Sequence, residues 1–359
     1  MASRRKIHNE LQEVKGNIRT FCRIRPASSK ESCLSVDEDA GKVMLPYNGV
    51  DNDFRFDRCF GQTRTQLDIF EEVKDFVQSA LDGYNVSLLA YGQTGAGKTF
   101  TMLGGREEEA MGIIPRSINQ ILETVAEMKD NGWEYELAAS FLEIYNETIR
   151  DLLCDAKTPA APAPSFFFCC CCCWTPPPPV LLLSFSSCFS FICYSSSVVQ
   201  GTDMNERSSR SHTVFQLRIN AKHEQRGQTL RGSLHLVDLA GSERLAKSNA
   251  TGDRLKETQS INKSLSALGD VMSAIAKKQA HVPYSRNSKL TFLLQPCLSG
   301  DGKALVILAA SPVESSAHET LCSLRFGNLI AQCELGKATR HVTGPAMTGK
   351  REEEEEREE

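Results

Sequence analysis

The run Gly92–Thr99, GQTGAGKT, has the order G-x-x-x-x-G-K-T. Glycines let successive backbone N–H groups turn inward around phosphate oxygens, the lysine sets a cation against the β and γ phosphates, and the threonine hydroxyl suits Mg2+. Gly92, Gln93, Thr94, Gly95, Ala96, Gly97, Lys98 and Thr99 are therefore candidate nucleotide contacts. A second run, HLVDLAGSE over 235–243, brings Asp238 to the end of an apolar stretch with Gly241 three residues on. An aspartate so placed can hold the shell of Mg2+ through water, and the Gly241 N–H can register a γ-phosphate. A third run, NERSSRSH over 205–212, is a polar cluster. Its hydroxyls, Ser209 among them, either reach Mg2+ and γ-phosphate or belong to an ordinary solvated loop or helix cap. Arg210 and Glu243 are expected to pair when the two loops close over nucleotide.

These residues need a scaffold, and the hydropathy pattern supplies one. VSLLAY (86–91), directly ahead of the glycine run, is a continuous apolar stretch of the kind that forms a buried parallel strand. NIRTFCRIRP alternates in strand fashion and stops at Pro26, and further strands are expected at ELAASFLEIY, TVFQLRINA, SLHLVDLA and KALVILAASP. Between them, 68–83, 116–132 and 257–278 carry apolar residues at threes and fours, the helical period. Interleaved strands and helices predict an α/β domain around a mostly buried sheet. Ile7, Leu11 and Val14 mark a short helix over 1–16, ending near Gly16-Asn17. It reads either as packed on its own domain or as the stub of a longer dimerising stalk.

Composition sets the limits. The 359 residues are 41% hydrophobic and 24% charged, which suits a globular chain with a substantial core. Net charge is −4, but the last nine residues, REEEEEREE, carry −5, so 339–359 is expected to be a solvated acidic tail. The start has positive charges and no apolar run behind them, which predicts no secretory signal and a cytoplasmic protein. Of fourteen cysteines, seven (Cys169–Cys173, Cys188 and Cys193) lie in one odd block, and no spacing suits zinc.

That block, residues 156–202, resembles nothing on either side of it. Its prolines (159, 162, 164 and 176–179) cannot continue a helix, and its Cys, Phe and Leu run has no amphipathic period. Val180–Val199 is long and uncharged enough to raise a membrane span, but a span would put the first run on the opposite side of a bilayer from the other two. The span is therefore excluded. Phe, Leu, Ser and Pro have codons that can be written wholly in pyrimidines, so the run is what translating an intron's pyrimidine tract would give. A tolerated surface insertion and a lineage-specific regulatory loop are the alternatives.

AYGQTGAGKT, NERSSRSH, LVDLAGSE and PYSRNSKLT together, in this order, resemble the motifs of the kinesin motor domain, over residues 4–155 and 203 to about 338. RRKIHNELQEVKGNIRTFCRIRP looks most like the neck and first strand of the C-terminal-motor kinesins. The resemblance implies a P-loop NTPase-like motor fold over 17–338, with an eight-stranded, mostly parallel sheet and helices on both faces. It implies ATP hydrolysis with Mg2+ coupled to microtubule binding, movement toward minus ends, and residence on the cytoskeleton, the spindle included. Residue by residue, Arg23, Arg25 and Pro26 would border the adenine, Ser208 and Ser209 would form the first switch, and Asp238, Gly241 and Glu243 the second. Thr99 and Ser209 would ligate Mg2+, and a homodimer would form through an upstream stalk. Ser285 stands as an extra residue in the family's usual PYRNSKLT.

Between Arg244 and Lys289, nine Lys or Arg face Asp253, Glu257 and Asp270, a local balance of +6 that suits an acidic polymer. Charge alone fits nucleic acid or a solvated face equally; the resemblance favours tubulin, contacted by Lys247, Lys256, Lys277, Lys278, Arg286 and Lys289. A GTPase would carry N-K-x-D, which the NKSL at Asn262 lacks, and CLSGDGK lacks the continuation of an ABC-transporter signature. The rival in another class is a degenerate kinesin-like binding module, disabled because the segment before the first switch is replaced.

Overall fold

The computed structural model describes residues 2–27, 32–153, 209–243, 253–285 and 288–344; the odd block, the acidic end, Ser208, Lys247 and Arg286 lie outside them. Chain order gives α1 (Ala2–Val14), β1 (Ile18–Ile24), β2 (Ser35–Asp37), β3 (Lys42–Tyr47), β4 (Val50–Arg55), β5 (Arg58–Phe60), α2 (Gln66–Leu81) and β6 (Asn85–Tyr91). There follow α3 (Lys98–Met102), α4 (Ile113–Lys129), β7 (Trp133–Tyr145), β8 (Thr148–Asp151), β9 (His212–His223) and β10 (Gln228–Asp238). The last described elements are α5 (Asp253–Ala276), α6 (Lys289–Leu298), β11 (Gly302–Ala310), α7 (Ala317–Ala331) and β12 (Val342–Thr343).

The large sheet runs β5-β1-β11-β6-β10-β9-β7-β8, with β12 added beside β10, and β2-β3-β4 form a small separate sheet. The half that carries the glycine run is parallel: β1 on β11, β11 on β6, β6 on β10. β9, β7 and β8 continue it as antiparallel neighbours. Strands whose faces are both covered by helices can be apolar throughout, and β11 is buried at every position. One core gathers α5, α6 and α7 against the sheet, through Leu268, Met272, Leu294 and Leu324. The other gathers α2 and α4, through Val73, Phe76, Val77, Ile118 and Ile121.

Each expected strand and helix is present, with ends moved by a few residues, and the first helix docks through its polar face. Ile7, Leu11 and Val14 face solvent, 62%, 48% and 87% exposed, while Asn9 and Gln12 are buried. The docked face is polar: Gln12 Nε2 donates to Asp75 Oδ2 at 2.9 Å, and Arg19 donates to the Gln12 side chain while its guanidinium lies 4.6 Å from the centre of the Phe76 ring. Asn17 Nδ2 donates to Gly336 O at 2.6 Å, and Gly16, at φ 91, turns the chain from helix into β1. The helix is thus packed on its domain, as one of the two alternatives has it, with its apolar stripe facing outward.

Residues 339–344, expected in the tail, belong to the fold. β12 pairs with Thr229 and Leu230, His341 N donates to Gly83 O at 2.9 Å, and Arg340 Nε donates to Asp82 O at 2.8 Å. The extra Ser285 is exposed, and the chain around it is anchored: Thr291 Oγ1 donates to Tyr284 O, and Tyr284 donates to Leu298 O, each at 2.6 Å.

The turn between β7 and β8 places Asn146 and Glu147 at φ 50 and 55, the left-handed pair of a tight hairpin. A glutamate there is strained, and its carboxylate compensates by capping α6: it accepts from Lys289 N at 2.8 Å and from the Ser288 hydroxyl at 3.1 Å. Glu147→Ala is expected to lower unfolding free energy by about 1 kcal/mol, a fall of about 2–4 °C in Tm, measurable by calorimetric melting.

Candidate functional site

β6 delivers the glycine run at the carboxyl edge of the parallel strands, where such sheets keep their ligands. Gly92 has φ 148, and a Cβ on it would lie 2.3 Å from Ala309 O in β11, so the turn clears the neighbouring strand because position 92 has no side chain. Gly95 and Gly97 also have positive φ, and Gly97 precedes α3, which opens at Lys98. The Lys98 side chain is folded back over this turn, 6% exposed, donating from Nζ to Gln93 O at 3.0 Å. Burial pulls its pKa down, while the carboxylates of Asp238 and Glu243 act in the opposite direction.

Asp238 reaches the same place from β10, where it stands opposite Ala90 of β6. The Thr99 hydroxyl donates to Asp238 Oδ2 at 2.5 Å, and the other oxygen, Oδ1, is buried with no hydrogen-bond partner. Burial raises the Asp238 pKa, offset in part by Lys98 and then by the Thr99 hydroxyl. A buried carboxylate oxygen without a donor, beside a hydroxyl, is the oxygen-only chemistry that Mg2+ takes, and Mg2+ needs few protein ligands when phosphates supply others. Among the described residues no cluster of three or more His, Cys, Asp or Glu could hold a metal ion.

Beyond Asp238 the chain meets the third run. Gly241 N donates to Ser209 O at 2.8 Å, joining the two loops through backbone. The Glu243 carboxylate accepts from Thr94 N at 2.8 Å and from the Thr94 hydroxyl at 2.5 Å. Arg210, expected to meet Glu243 once the loops close over nucleotide, here pairs with Glu257 of α5 at 3.0 Å, with both side chains largely out of water. The physical reason is local: Glu243 already has two donors in the glycine run, and Glu257 gives the half-buried guanidinium a carboxylate partner. Ser208 lies outside the described residues.

The three residues expected at the base divide. Arg25 Nη1 donates to Gly95 O at 3.0 Å, and Pro26 is exposed at the site's edge. Arg23 is turned inward, 7% exposed, donating from Nη1 to Gln66 Oε1 at 2.8 Å and Thr101 Oγ1 at 2.9 Å, and burial brings its pKa down to about 10. It therefore braces α2 against α3. Its guanidinium also lies 5.3 Å from the centre of the Phe100 ring, and Phe100 is 47% exposed. An exposed aromatic beside the glycine run was missed in the sequence, although its place immediately after Lys-Thr was the available signal. Glu257 and Gln66 were missed because a polar residue on a helix carries no mark of the partner it will find.

Of the basic residues, Lys277, Lys278 and Lys289 are exposed on α6 and at the end of α5. Lys278 Nζ meets Glu334 at 2.8 Å, but both side chains are 74% exposed, so the pair is weak. Lys247 and Arg286, and the side chain of Lys256, lie outside the described residues.

The microtubule-binding family model matches residues 1–153, and the kinesin motor domain model matches residues 189–333. The kinesin-like protein KIN-14N of Oryza sativa subsp. japonica is 47% identical over 348 residues, 93% of this chain and 45% of the relative. Carboxy-terminal kinesin 2 of Xenopus laevis is 43% identical, over 93% of this chain and 56% of its own length. The chain thus spans about half the length of the curated relatives it matches. Among solved structures, the motor domain of the Saccharomyces cerevisiae kinesin-related protein Kar3 is 38% identical with a TM-score of 0.71, covering 88% of this chain and 100% of that one. The Kar3Vik1 motor and motor homology domain, fused to a synthetic heterodimeric coiled coil, is 40% identical with a TM-score of 0.73, covering 92% and 89%.

A Cβ on Gly241 would lie 2.3 Å from both Glu243 Oε2 and Thr94 Oγ1. Gly241→Ala is expected to push the Glu243 carboxylate off Thr94, losing about 1.5–3 kcal/mol of charged hydrogen bonding at that contact. Faster hydrogen exchange at the Thr94 amide, by about tenfold or more, is the readout.

Proposed function

The chain belongs to the kinesin motor-domain family, with C-terminal-motor kinesins among its relatives, and on that premise we propose that it hydrolyses ATP with Mg2+ to move along microtubules toward their minus ends. The observation that carries the reading is the meeting of Thr99 and Asp238, 139 residues apart in sequence and 2.5 Å apart in space, with one Asp238 oxygen buried and unpartnered beside Lys98. The proposed place of work is the cytoskeleton, spindle microtubules included, and the proposed homodimer forms through the outward stripe of α1 and a preceding stalk.

Thr99 and Ser209 would ligate Mg2+ directly and Asp238 through water; the bound ion supplies neutralisation of charge on the phosphate oxygens. Lys98 leaves the Gln93 carbonyl and sets its ammonium against the phosphates. The exposed ring of Phe100 gives the base a face to stack on, with Pro26 at the rim. Closure of the loops is an exchange of partners: Glu243 leaves Thr94, Arg210 leaves Glu257, and the two meet. Gly241 N–H, now on Ser209 O, is freed for a γ-phosphate oxygen. These residues hold and orient an attacking water; no covalent intermediate is required of the protein. The filament face is formed by Lys277, Lys278 and Lys289, with Lys247, Lys256 and Arg286, against the acidic surface of tubulin.

Titration calorimetry is expected to show Mg-nucleotide binding, weakened about tenfold to a hundredfold in Lys98→Ala. Microtubules are expected to stimulate ATP turnover, less so as salt rises past a Debye length of about 10 Å at 0.1 M. No binding heat, or turnover indifferent to microtubules, would sink the reading.

We also propose that 156–202 is intron-derived sequence within a motor domain otherwise spanning 17–338. The stretch 154–188, which neither family match covers, supports that reading; the kinesin motor domain match takes in 189–202 as well, so the support is confined to 156–188. Sequencing of the transcript across codons 150–210 is expected to lack the Cys run; an unbroken coding read through it would overturn this.

A further inference from the structure

His212 opens β9, is 2% exposed, and stands where three elements meet. Its Nδ1 accepts from Ala240 N at 3.0 Å, and its Nε2 lies 2.7 Å from Ser264 Oγ on α5. The Ser264 hydroxyl donates its one proton to Ile261 O at 2.7 Å, so towards the ring it can only accept. The ring is therefore neutral, with its proton on Nε2 and both nitrogens used. Burial, reinforced by the nearby charge of Lys98, brings its pKa down to about 3, in keeping with that state.

Two residues earlier, Arg210 grips Glu257 of the same helix. Glu257 and Ser264 are seven residues apart, two helical turns, and so share a face of α5. The loop 209–212 thus holds α5 at two points. One is an ion pair able to change partners; the other is a rigid ring. On its far side that ring holds Ala240, next to Gly241, whose N–H is bonded to Ser209 O.

We propose that His212 is a positioning residue that couples α5 to the loop carrying Gly241, through Ser264 on one side and the Ala240 amide on the other. Any displacement of α5 moves the Ser264 hydroxyl, and the ring, buried and held at both nitrogens, carries that displacement to the residue beside Gly241. The coupling is between the basic helix and the nucleotide loops, and so it rests on the motor reading.

Ser264→Ala in the full chain tests it. Basal turnover, Mg-nucleotide affinity and microtubule affinity by cosedimentation are expected to stay as in the parent chain, while microtubule-stimulated turnover falls about tenfold. Ser264→Thr, which keeps the hydroxyl, is expected to restore stimulation. Stimulation in Ser264→Ala equal to that of the parent chain would overturn the proposal. Two readouts stand apart from activity: Ala240 amide exchange is expected to quicken roughly fivefold in Ser264→Ala, and imidazole 15N shifts of the unmutated chain are expected to report the Nε2–H tautomer. An unchanged amide or an Nδ1–H ring would each overturn it. If the parent chain itself shows no stimulation, the motor reading fails, and these two measurements still decide the coupling.

Discussion

The parallel pairing of β6 with β10 is the constraint on which the site depends. Their register sets Ala90 opposite Asp238, so both strands end at the same level and their following loops share one small volume. A buried ammonium and a buried carboxylate then lie close together, and burial acts against the charge of each. Such a pair is poor value as a stabilising device, because desolvation consumes much of the attraction. Its persistence makes sense where a charged ligand completes the coordination that the protein leaves open.

Around that fixed pair the remaining polar groups hold one another. Lys98 rests on Gln93, Glu243 on Thr94, Arg210 on Glu257, and Gly241 on Ser209. None of these contacts leaves a strong donor bare. The site is therefore two-layered: a floor of strand ends and glycine turns, and above it a set of side chains that hold one another.

How much of this could be read in the sequence follows from how local each cause is. GQTGAGKT and the apolar run before it are contiguous, so phosphate loop and parent strand were legible together. Asp238 was legible because it ends an apolar run at a fixed distance from a glycine. The partners of Arg210 and Glu243 were not, since a carboxylate 14 residues further on, Glu257, competes for the same guanidinium and only packing decides. The small β2-β3-β4 sheet was hidden by its short strands, by the polar residues of β2 and β4 and by Pro46 in β3, and α6 by Pro296 in its last turn. The first helix was legible as a helix, but which of its faces docks was not. Apolar spacing says which residues share a face; here a glutamine–aspartate–arginine network outbids it for the docking side.

That network also sets the path that a pull on α1 would take through the domain. α1 runs through Gly16 into β1, and Arg19 of β1 holds Gln12 of α1, so a tug on the helix is transmitted lengthwise along the strand. β1 lies between β5 and β11, and seven of its residues are in register with β11. Lengthwise tension strains these ladder bonds together, in shear, and does not peel them one by one. Arg23 lies near the far end of that strand and Arg25 just beyond it, bonded to Gly95 O, so tension along β1 is directed to the rim of the phosphate loop.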